Sequence, residues 1–293
     1  MPIRPFRRSD IPALVSLSAD CSRGEADFVL NPYWEEESDL DAEFARLGIG
    51  PEEHLLVADA GEGDVQGLVG FLRGPGAHAA GMFCPIVRRG ERGRGLGGEL
   101  LRAALARGPA LGIGLLAAGV GTRNRAGYSL LTSHGFRPVR QVFLMRCDRS
   151  PRSAAPPEGL HFEPAREGDA DAILSVYATC GFEPRSADAM RAALTDGRHD
   201  HAVARQDGRV VAFAELETHW PRRPWVAYAG VEKPLRDRGV GSALVSYALA
   251  RRFEEGAASG QLMLSPANRT ALRAYEKVGF RRFRLIDVLE KSL

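Results

Sequence analysis

Two short glycine-rich runs offer the first chemistry in this chain of 293 residues. Arg92-Gly93-Arg94-Gly95-Leu96-Gly97 returns as Arg236-Asp237-Arg238-Gly239-Val240-Gly241, an offset of 144 positions (92 to 236), with Ser242 following the second copy. Each run follows an apolar stretch ending in valine (Val87, Val231) and opens an amphipathic one, so each reads as a strand–turn–helix junction. The first amide groups of a helix have no intrahelical acceptor, and the aligned peptide dipoles make that end positive. Glycine lets a ligand approach the backbone and adopts left-handed dihedrals at little cost. Such a turn suits a pyrophosphate, with charge-assisted hydrogen bonds contributing about 1.5–3 kcal/mol each. Arg92, Arg94, Arg236 and Arg238 would add positive charge around it.

A second element is repeated at the same offset. Asn124 with Gly135-Phe136 recurs as Asn268 with Gly279-Phe280. An asparagine there either caps the next helix or meets a ligand, and the two readings are compatible. Gly135 and Gly279 fit the position just past a helix end. Acid–base candidates gather in the second half, where a period of two along Val210–Thr218 puts Phe213, Glu215 and Glu217 on one strand face. Either glutamate could take a proton through water, Glu215 being preferred, with a solvated carboxylate as the alternative. His201 and His219 read as structural or exposed, Glu232 as the partner of a neighbouring arginine, and Cys84 as a buried strand thiol rather than an acyl carrier.

Composition narrows the field. The net charge of +2 points to neither nucleic acid nor an anionic membrane. Cys21, Cys84, Cys147 and Cys180 lie far apart with no CxxC and no clustered histidine, so no metal site and no disulfide scaffold is expected. Basic residues at the N-terminus are followed by no apolar signal core, and the run Ala110–Gly121 is too short to span a bilayer. A cytoplasmic location is expected. Gly93-Arg94-Gly95-Leu96-Gly97-Gly98 matches the dinucleotide pattern GxGxxG, but the second copy places Asp237 and Ala243 where glycines would fall. No acidic residue closes the following strand near position 118 to hold a ribose, so a Rossmann reading is rejected.

The elements that must position these residues repeat as well. Strand Ile3–Phe6 leads to a helix capped near Ser9-Asp10, and the stretch Ile3-Arg4-Pro5 to Leu14 resembles Phe162-Glu163-Pro164 to Ile173 at an offset of 159. The first half is therefore longer by 15 residues between Leu14 and Val87, and Asn31–Gly50 is the natural place for the insertion. That insertion, with Phe28, Tyr33 and Trp34 at its start, either covers a cleft or packs on its own domain. Strands follow at His54–Ala60 and Val65–Leu72, and at His201–Arg205 and Arg209–Thr218. After each turn, Leu96, Leu100, Leu101, Ala104 and Leu105 match Val240, Leu244, Val245, Ala248 and Leu249 as a buried helix stripe. Strands near 114–120 and 260–265 and a helix ending at Gly135 or Gly279 close each unit. The fold class is α+β, with a mixed, mostly antiparallel sheet flanked by helices in each of two tandem domains. Domains span 1–146 and 160–293, joined by a linker at 147–159 rich in Pro, Ser and Arg.

The pattern Arg/Gln-x-x-Gly-x-Gly/Ala after a strand, then Asn-x-x-Ala-x-x-x-Tyr-x-x-x-Gly-Phe, resembles that of the GNAT family of acetyl-CoA-dependent N-acetyltransferases. In the second half Val231, Arg236, Gly239, Gly241, Asn268, Ala271, Tyr275, Gly279 and Phe280 all match it. In the first half Val87, Arg92, Gly95, Gly97, Asn124, Gly135 and Phe136 match, but Gly127 replaces the alanine and Leu131 replaces the tyrosine. Tyr128 is three residues out of register.

The resemblance implies direct transfer of an acetyl group from acetyl-CoA, a co-substrate, to a primary amine of a small molecule or peptide, with no metal. An alkylamine of pKa about 10.4 is only about 0.04 % neutral at pH 7, which adds roughly 4.6 kcal/mol to the barrier unless a base helps. It also implies that Tyr275 protonates the departing thiolate, and that a backbone N–H at Gly230 or Val231 meets the carbonyl oxygen. Cofactor contacts would come from Arg236, Asp237, Arg238, Gly239, Val240, Gly241, Ser242 and Asn268, and in the first half from Val87, Arg92, Gly93, Arg94, Gly95, Leu96, Gly97 and Asn124. The second half is then the catalytic domain. Three readings are open for the first half, an active domain with another acid, a cofactor-binding domain without catalysis, or a scaffold shaping the acceptor cleft, and a degenerate domain is preferred. A non-catalytic acyl-CoA-binding or regulatory module is the non-enzyme alternative. The tandem architecture also resembles the acetyltransferase of mycothiol synthesis. Monomer and homodimer both remain open, and neither nucleic acid nor membrane is an expected partner.

Overall fold

Alternation of short apolar strands with amphipathic helices produces the element order that the repeats announce. A computed structural model of the chain describes residues 1–61, 63–74, 76–152 and 155–293; Ser153 and Ala154 of the expected linker lie outside the described residues. In chain order the elements are β1 (Ile3–Pro5), α1 (Ile11–Cys21), α2 (Glu37–Leu47), α3 (Pro51–His54), β2 (Leu55–Asp59), β3 (Val65–Leu72), β4 (Ala79–Val87), α4 (Leu96–Arg107), β5 (Leu115–Gly121), α5 (Arg125–Ser133) and β6 (Arg137–Cys147). Then follow β7 (His161–Pro164), α6 (Ala170–Thr179), α7 (Ala187–Thr195), β8 (His199–Gln206), β9 (Arg209–Glu217), β10 (Trp225–Val231), α8 (Val240–Glu254), β11 (Gly260–Leu264), α9 (Arg269–Val278) and β12 (Arg281–Ser292).

The chain forms two compact units, one of Met1–Val142 with Arg284–Leu293 and the other of Phe143–Phe283. In unit 1 the strand order is β1-β2-β3-β4-β5-β12, and in unit 2 it is β6-β11-β10-β9-β8-β7. Each sheet is antiparallel except for one parallel pair, β4 with β5 and β10 with β11. The units differ from the sequence halves at their last strands. Residues Phe143–Cys147 pair with Leu264–Gly260 of β11, while Ile286–Ser292 pair with Gly121–Leu115 of β5. Buried backbone groups must find partners, and the available strand edge decides that, not nearness in sequence.

Local signals place the helices as expected. The Asp10 carboxylate accepts the Arg7 N–H at 2.7 Å ahead of α1, and Asp169 accepts the Arg166 N–H at 2.9 Å ahead of α6. Arginines hold both carboxylates from a strand: Arg4 on Asp10 and Arg205 on Asp169, each at 2.8 Å. Leu96, Leu100, Leu101 and Ala104 of α4 are buried in the core of unit 1, and Val240, Leu244, Val245, Ala248 and Leu249 of α8 are buried against one sheet face of unit 2. Each fully buried leucine or valine contributes about 1.5–3 kcal/mol. A second cluster in unit 2 joins α6 and α7 to β9 through Tyr177, Met190 and Phe213.

Candidate functional site

Both glycine turns have the backbone that anion binding needs. Gly93 and Gly95 sit at φ of 77° and 88°, and Asp237 and Gly239 at 61° and 82°. The first position is thus geometrically a glycine position in both copies, and aspartate is among the few residues that tolerate it. Gly239 and Gly95 lead directly into α8 and α4, whose first amides face outward without intrahelical partners. The third repeated position, Gly97 or Gly241, is small for another reason. A Cβ on Gly241 would come within 3.2 Å of the Val231 side chain, so the helix start packs tightly on the strand end.

Two of the turn arginines, Arg92 and Arg236, are bonded to the protein's own backbone. Arg92 donates from Nε to the Val87 carbonyl at 3.0 Å and from Nη2 to the Cys21 carbonyl at 2.7 Å, with Asp27 at 3.1 Å from Nη1. Arg236 repeats this, donating to the Val231 carbonyl at 2.8 Å and the Thr179 carbonyl at 2.9 Å. Each guanidinium ties the strand end to the C-terminal residue of the first helix of its unit, Cys21 of α1 or Thr179 of α6. These bonds to backbone carbonyls, and for Arg92 also to Asp27, let Arg92 and Arg236 shape the turn. Arg94 lies 3.2 Å from Glu91, while Arg238 is exposed without an ion-pair partner among the described residues.

Beyond each turn the parallel strands part. β10 and β11 are in register only at Trp225 and Gln261, leaving Val226–Val231 and Leu262–Leu264 unpaired with each other. Gly230 stands at the end of β10, where a Cβ would come within 2.6 Å of the Phe213 ring and 2.9 Å of the Cys180 sulfur. On the facing strand Met263 is 44 % exposed, an apolar side chain left open to solvent within the stretch that β10 no longer pairs with. β4 and β5 pair over Ala79–Gly81 and then diverge likewise. A cavity of about 310 Å³ beside the unit 1 turn is lined by every first-half candidate except Arg94.

Asn268 and Asn124 are helix caps, accepting the N–H of Ala271 at 3.1 Å and of Gly127 at 2.8 Å. Gly279 ends α9 at a φ of 110°, and the Phe280 N–H closes back on the Tyr275 carbonyl at 3.0 Å. Tyr275 packs edge-on against Phe280, ring centroids 5.6 Å apart, on the same core cluster as Val231 and Leu264. Burial pushes its hydroxyl up to about 12. Leu131, its counterpart, is buried in the core of unit 1.

Glu215 departs from the picture of a solvated carboxylate. It is buried, and Arg185 holds both oxygens, Nη1 to Oε2 at 2.9 Å and Nη2 to Oε1 at 3.2 Å. His201 Nε2 lies 3.4 Å from Oε2 and His199 Nε2 4.0 Å from Oε1. Burial alone would raise this carboxyl, but His201 and Arg185 outweigh it and hold the group below its ordinary range. A carboxylate so stabilised is a weak base. Glu217, two residues on, is half-buried and lies 3.7 Å from His219. Glu232 pairs with Arg209 at 2.8 and 2.9 Å, as expected, and Cys84 is buried with its thiol pushed up to about 12.

Sequence reasoning missed Arg185 and Met263. Arg185 lies in an irregular segment without periodicity, between α6 and α7; Met263 looks like an ordinary strand residue until its neighbouring strand is seen to leave. Among the described residues no group of three or more His, Cys, Asp and Glu side chains could hold a metal ion. Among the described residues no helix is long and apolar enough to cross a membrane.

Comparison with known proteins gives a family match, curated relatives and structural likenesses. The profile of the acetyltransferase (GNAT) family matches residues 15–136 and again 170–280. A mycothiol acetyltransferase of Thermobispora bispora is 30 % identical over 70 % of this chain and 73 % of its own length. One of Thermomonospora curvata is 29 % identical over 84 % and 88 %. Among solved structures, a GCN5-related N-acetyltransferase from Sphaerobacter thermophilus superposes with a TM-score of 0.78 at 20 % identity, covering 99 % of this chain and 95 % of that one. A tandem GNAT protein from the clavulanic acid biosynthesis pathway gives 0.74 at 17 %, covering 99 % and 98 %. These two likenesses speak for the fold.

Proposed function

The chain belongs to the acetyltransferase (GNAT) family, and from that premise we propose that unit 2 transfers an acetyl group directly from acetyl-CoA to a primary amine of a small molecule or peptide. The observation that carries this reading is the opening between β10 and β11, which begins one pair beyond Trp225 and Gln261 and ends at the intact turn of Arg236–Gly241. Such a cleft suits a long ligand with an anionic end and an extended arm. The diphosphate would rest on the amides of Arg238, Gly239, Val240, Gly241 and Ser242, with Arg238 free to pair with it. Asn268 would meet the arm, and the apolar face of Met263 would lie along it. An arm extending from the turn into the opening would carry the thioester toward Tyr228 and Trp225, while Gly230 and Val231, which adjoin the turn, would border the arm near its phosphate end.

The amine nitrogen attacks the thioester carbon, the carbon–sulfur bond breaks, and the thiolate leaves. Tyr275 is kept protonated by burial. Moving its proton fully onto a thiolate of ordinary pKa about 8.5 would be uphill by about 5 kcal/mol, so Tyr275 acts first as a hydrogen-bond donor to the departing sulfur. Glu215, bound by Arg185, takes the part of a positioning residue that holds the wall around Tyr228, over whose ring Arg185 lies at 5.3 Å. Glu217 is the carboxylate on this face suited to receive the amine proton through water.

The relatives named as mycothiol acetyltransferases favour a narrower form of the same reading, an acceptor from mycothiol synthesis. Release of free CoA on mixing the protein with acetyl-CoA and a panel of amines tests the proposal, and that acceptor belongs in the panel. Tight binding of acetyl-CoA with no CoA release from any amine would instead favour an acyl-CoA-binding regulatory module.

A further inference from the structure

Resting on the reading of unit 2 as the acetyl-CoA site, we propose that unit 1 carries its own occupant. Residues Phe28–Asn31 lie in the opening between β4 and β5 and take the hydrogen bonds that an acyl-pantetheine arm would need, so the chain holds one acetyl-CoA, in unit 2.

Both lips of the unit 1 opening are bonded to this segment. The Leu30 N–H donates to the Gly119 carbonyl at 2.8 Å and the Gly121 N–H donates to the Phe28 carbonyl at 2.9 Å, so Val29 forms an antiparallel bridge with Val120 of β5. On the β4 side, Asn31 Nδ2 donates to the Cys84 carbonyl at 3.0 Å, and the Cys84 N–H donates to Asn31 Oδ1 at 2.8 Å. Asn124, whose amide would reach a ligand, donates instead to the Phe28 carbonyl at 3.2 Å. The segment therefore fills the place of a strand between two that have parted. Downstream, Trp34 is fully buried and stacks on Phe83 of β4, ring centroids 4.9 Å apart.

The two halves differ in sequence just where this requires. A Cβ on Gly119 would come within 2.8 Å of Leu30 Cβ, and one on Gly121 within 3.2 Å of Phe28 Cβ. Their counterparts at the offset of 144 are Met263 on β11 and Ser265 just past its end, side chains that border the opening of unit 2. Glycine is needed where the segment lies against β5 and is absent where no segment does. The insertion that lengthens the first half thus begins as a cover. The cavity of about 310 Å³ beside the unit 1 turn is bounded by Val29, so the phosphate end is open while the path of the arm is filled.

Calorimetry with acetyl-CoA and thiol labelling of Cys84 together decide this. The Cys84 sulfur lies 3.6 Å from the Gly119 carbonyl, the same oxygen that accepts from Leu30, so it sits under the segment. The full chain should bind one equivalent of acetyl-CoA and Gly239→Asp none; one equivalent retained by Gly239→Asp, or two in the unaltered chain, overturns the proposal. Cys84 should resist a small thiol reagent with and without acetyl-CoA, and Asn31→Ala should speed its labelling at least tenfold while circular dichroism is unchanged. Acceleration of Cys84 labelling by acetyl-CoA in the unaltered chain, or no effect of Asn31→Ala, would equally overturn it. No binding by the unaltered chain would sink the reading of unit 2 alone, and the Asn31→Ala labelling would still decide whether the segment covers unit 1.

Discussion

Arg185 grips both carboxylate oxygens of Glu215, at 2.9 and 3.2 Å, with Glu215 withdrawn from water. This pairing decides what Glu215 can do. A group whose charge is already satisfied by a guanidinium is poorly placed to take a proton but well placed to hold its neighbours.

A pH effect follows from its direction of shift. Glu215 ionises below its ordinary range in the folded chain, so the unfolded chain binds more protons as the pH approaches the ordinary carboxylate value of about 4.3. Its stabilising contribution is complete above that value and is lost as pH falls through the lower folded value. Urea unfolding at pH 7, 5 and 3.5 should show a falling midpoint. Glu215→Gln should flatten part of that fall and cost about 3 kcal/mol at pH 7, because it leaves Arg185 without its charge partner. An unchanged midpoint in Glu215→Gln at pH 7 would contradict the structural role.

Glu217→Gln separates the two carboxylates. It should reduce kcat/KM at pH 7 at least tenfold with no more than about 0.5 kcal/mol lost in stability, since the side chain is half-buried and outside the Arg185 pair. The deficit should shrink toward pH 9, where more of the amine is already neutral. A deficit independent of pH would remove Glu217 from proton transfer.

Tyr275→Phe should lower turnover at least tenfold while the Kd for acetyl-CoA stays within twofold. Because the Tyr275 hydroxyl is pushed up to about 12, its ionisation adds no alkaline fall in rate up to about pH 10. Steady-state rates across pH 6–10 on the unaltered and altered chains check both statements, and equal turnover in the two would exclude Tyr275 from the transfer.

Arg236 tests the reading of the turn. Arg236→Ala should destabilise unit 2 by about 1–3 kcal/mol, because the Val231 and Thr179 carbonyls lose a shared donor. Arg238→Ala should cost almost no stability but raise the Kd for acetyl-CoA and reduce its salt dependence. Thermal melts and calorimetry at two ionic strengths distinguish them; the reverse assignment would mean that Arg236, not Arg238, meets the phosphates.

Asp237→Gly should raise stability by about 0.5 kcal/mol, because Asp237 holds a left-handed φ of 61° that glycine adopts without strain. A lowered melting temperature would mean that the aspartate side chain stabilises the turn by more than its backbone strain costs.

Much of this protein was legible in one dimension, because the signals are local. The positive φ at Gly95 and Gly239, the caps at Asn124 and Asn268 and the buried stripes of α4 and α8 each arise within a few residues and repeat at a fixed offset. From them come the duplication, the fold class and the family, and the one position where the repeated motif breaks, Leu131 against Tyr275. Only the tertiary structure decided the rest. Arg92 and Arg236 turn inward to backbone carbonyls, Glu215 is drawn under Arg185, the last strand pairs with β5, and Phe28–Asn31 enters the opening beside Gly119. Each of these joins groups far apart in the chain, and the choice depends on which strand edge or buried charge has no other partner, something no local pattern records.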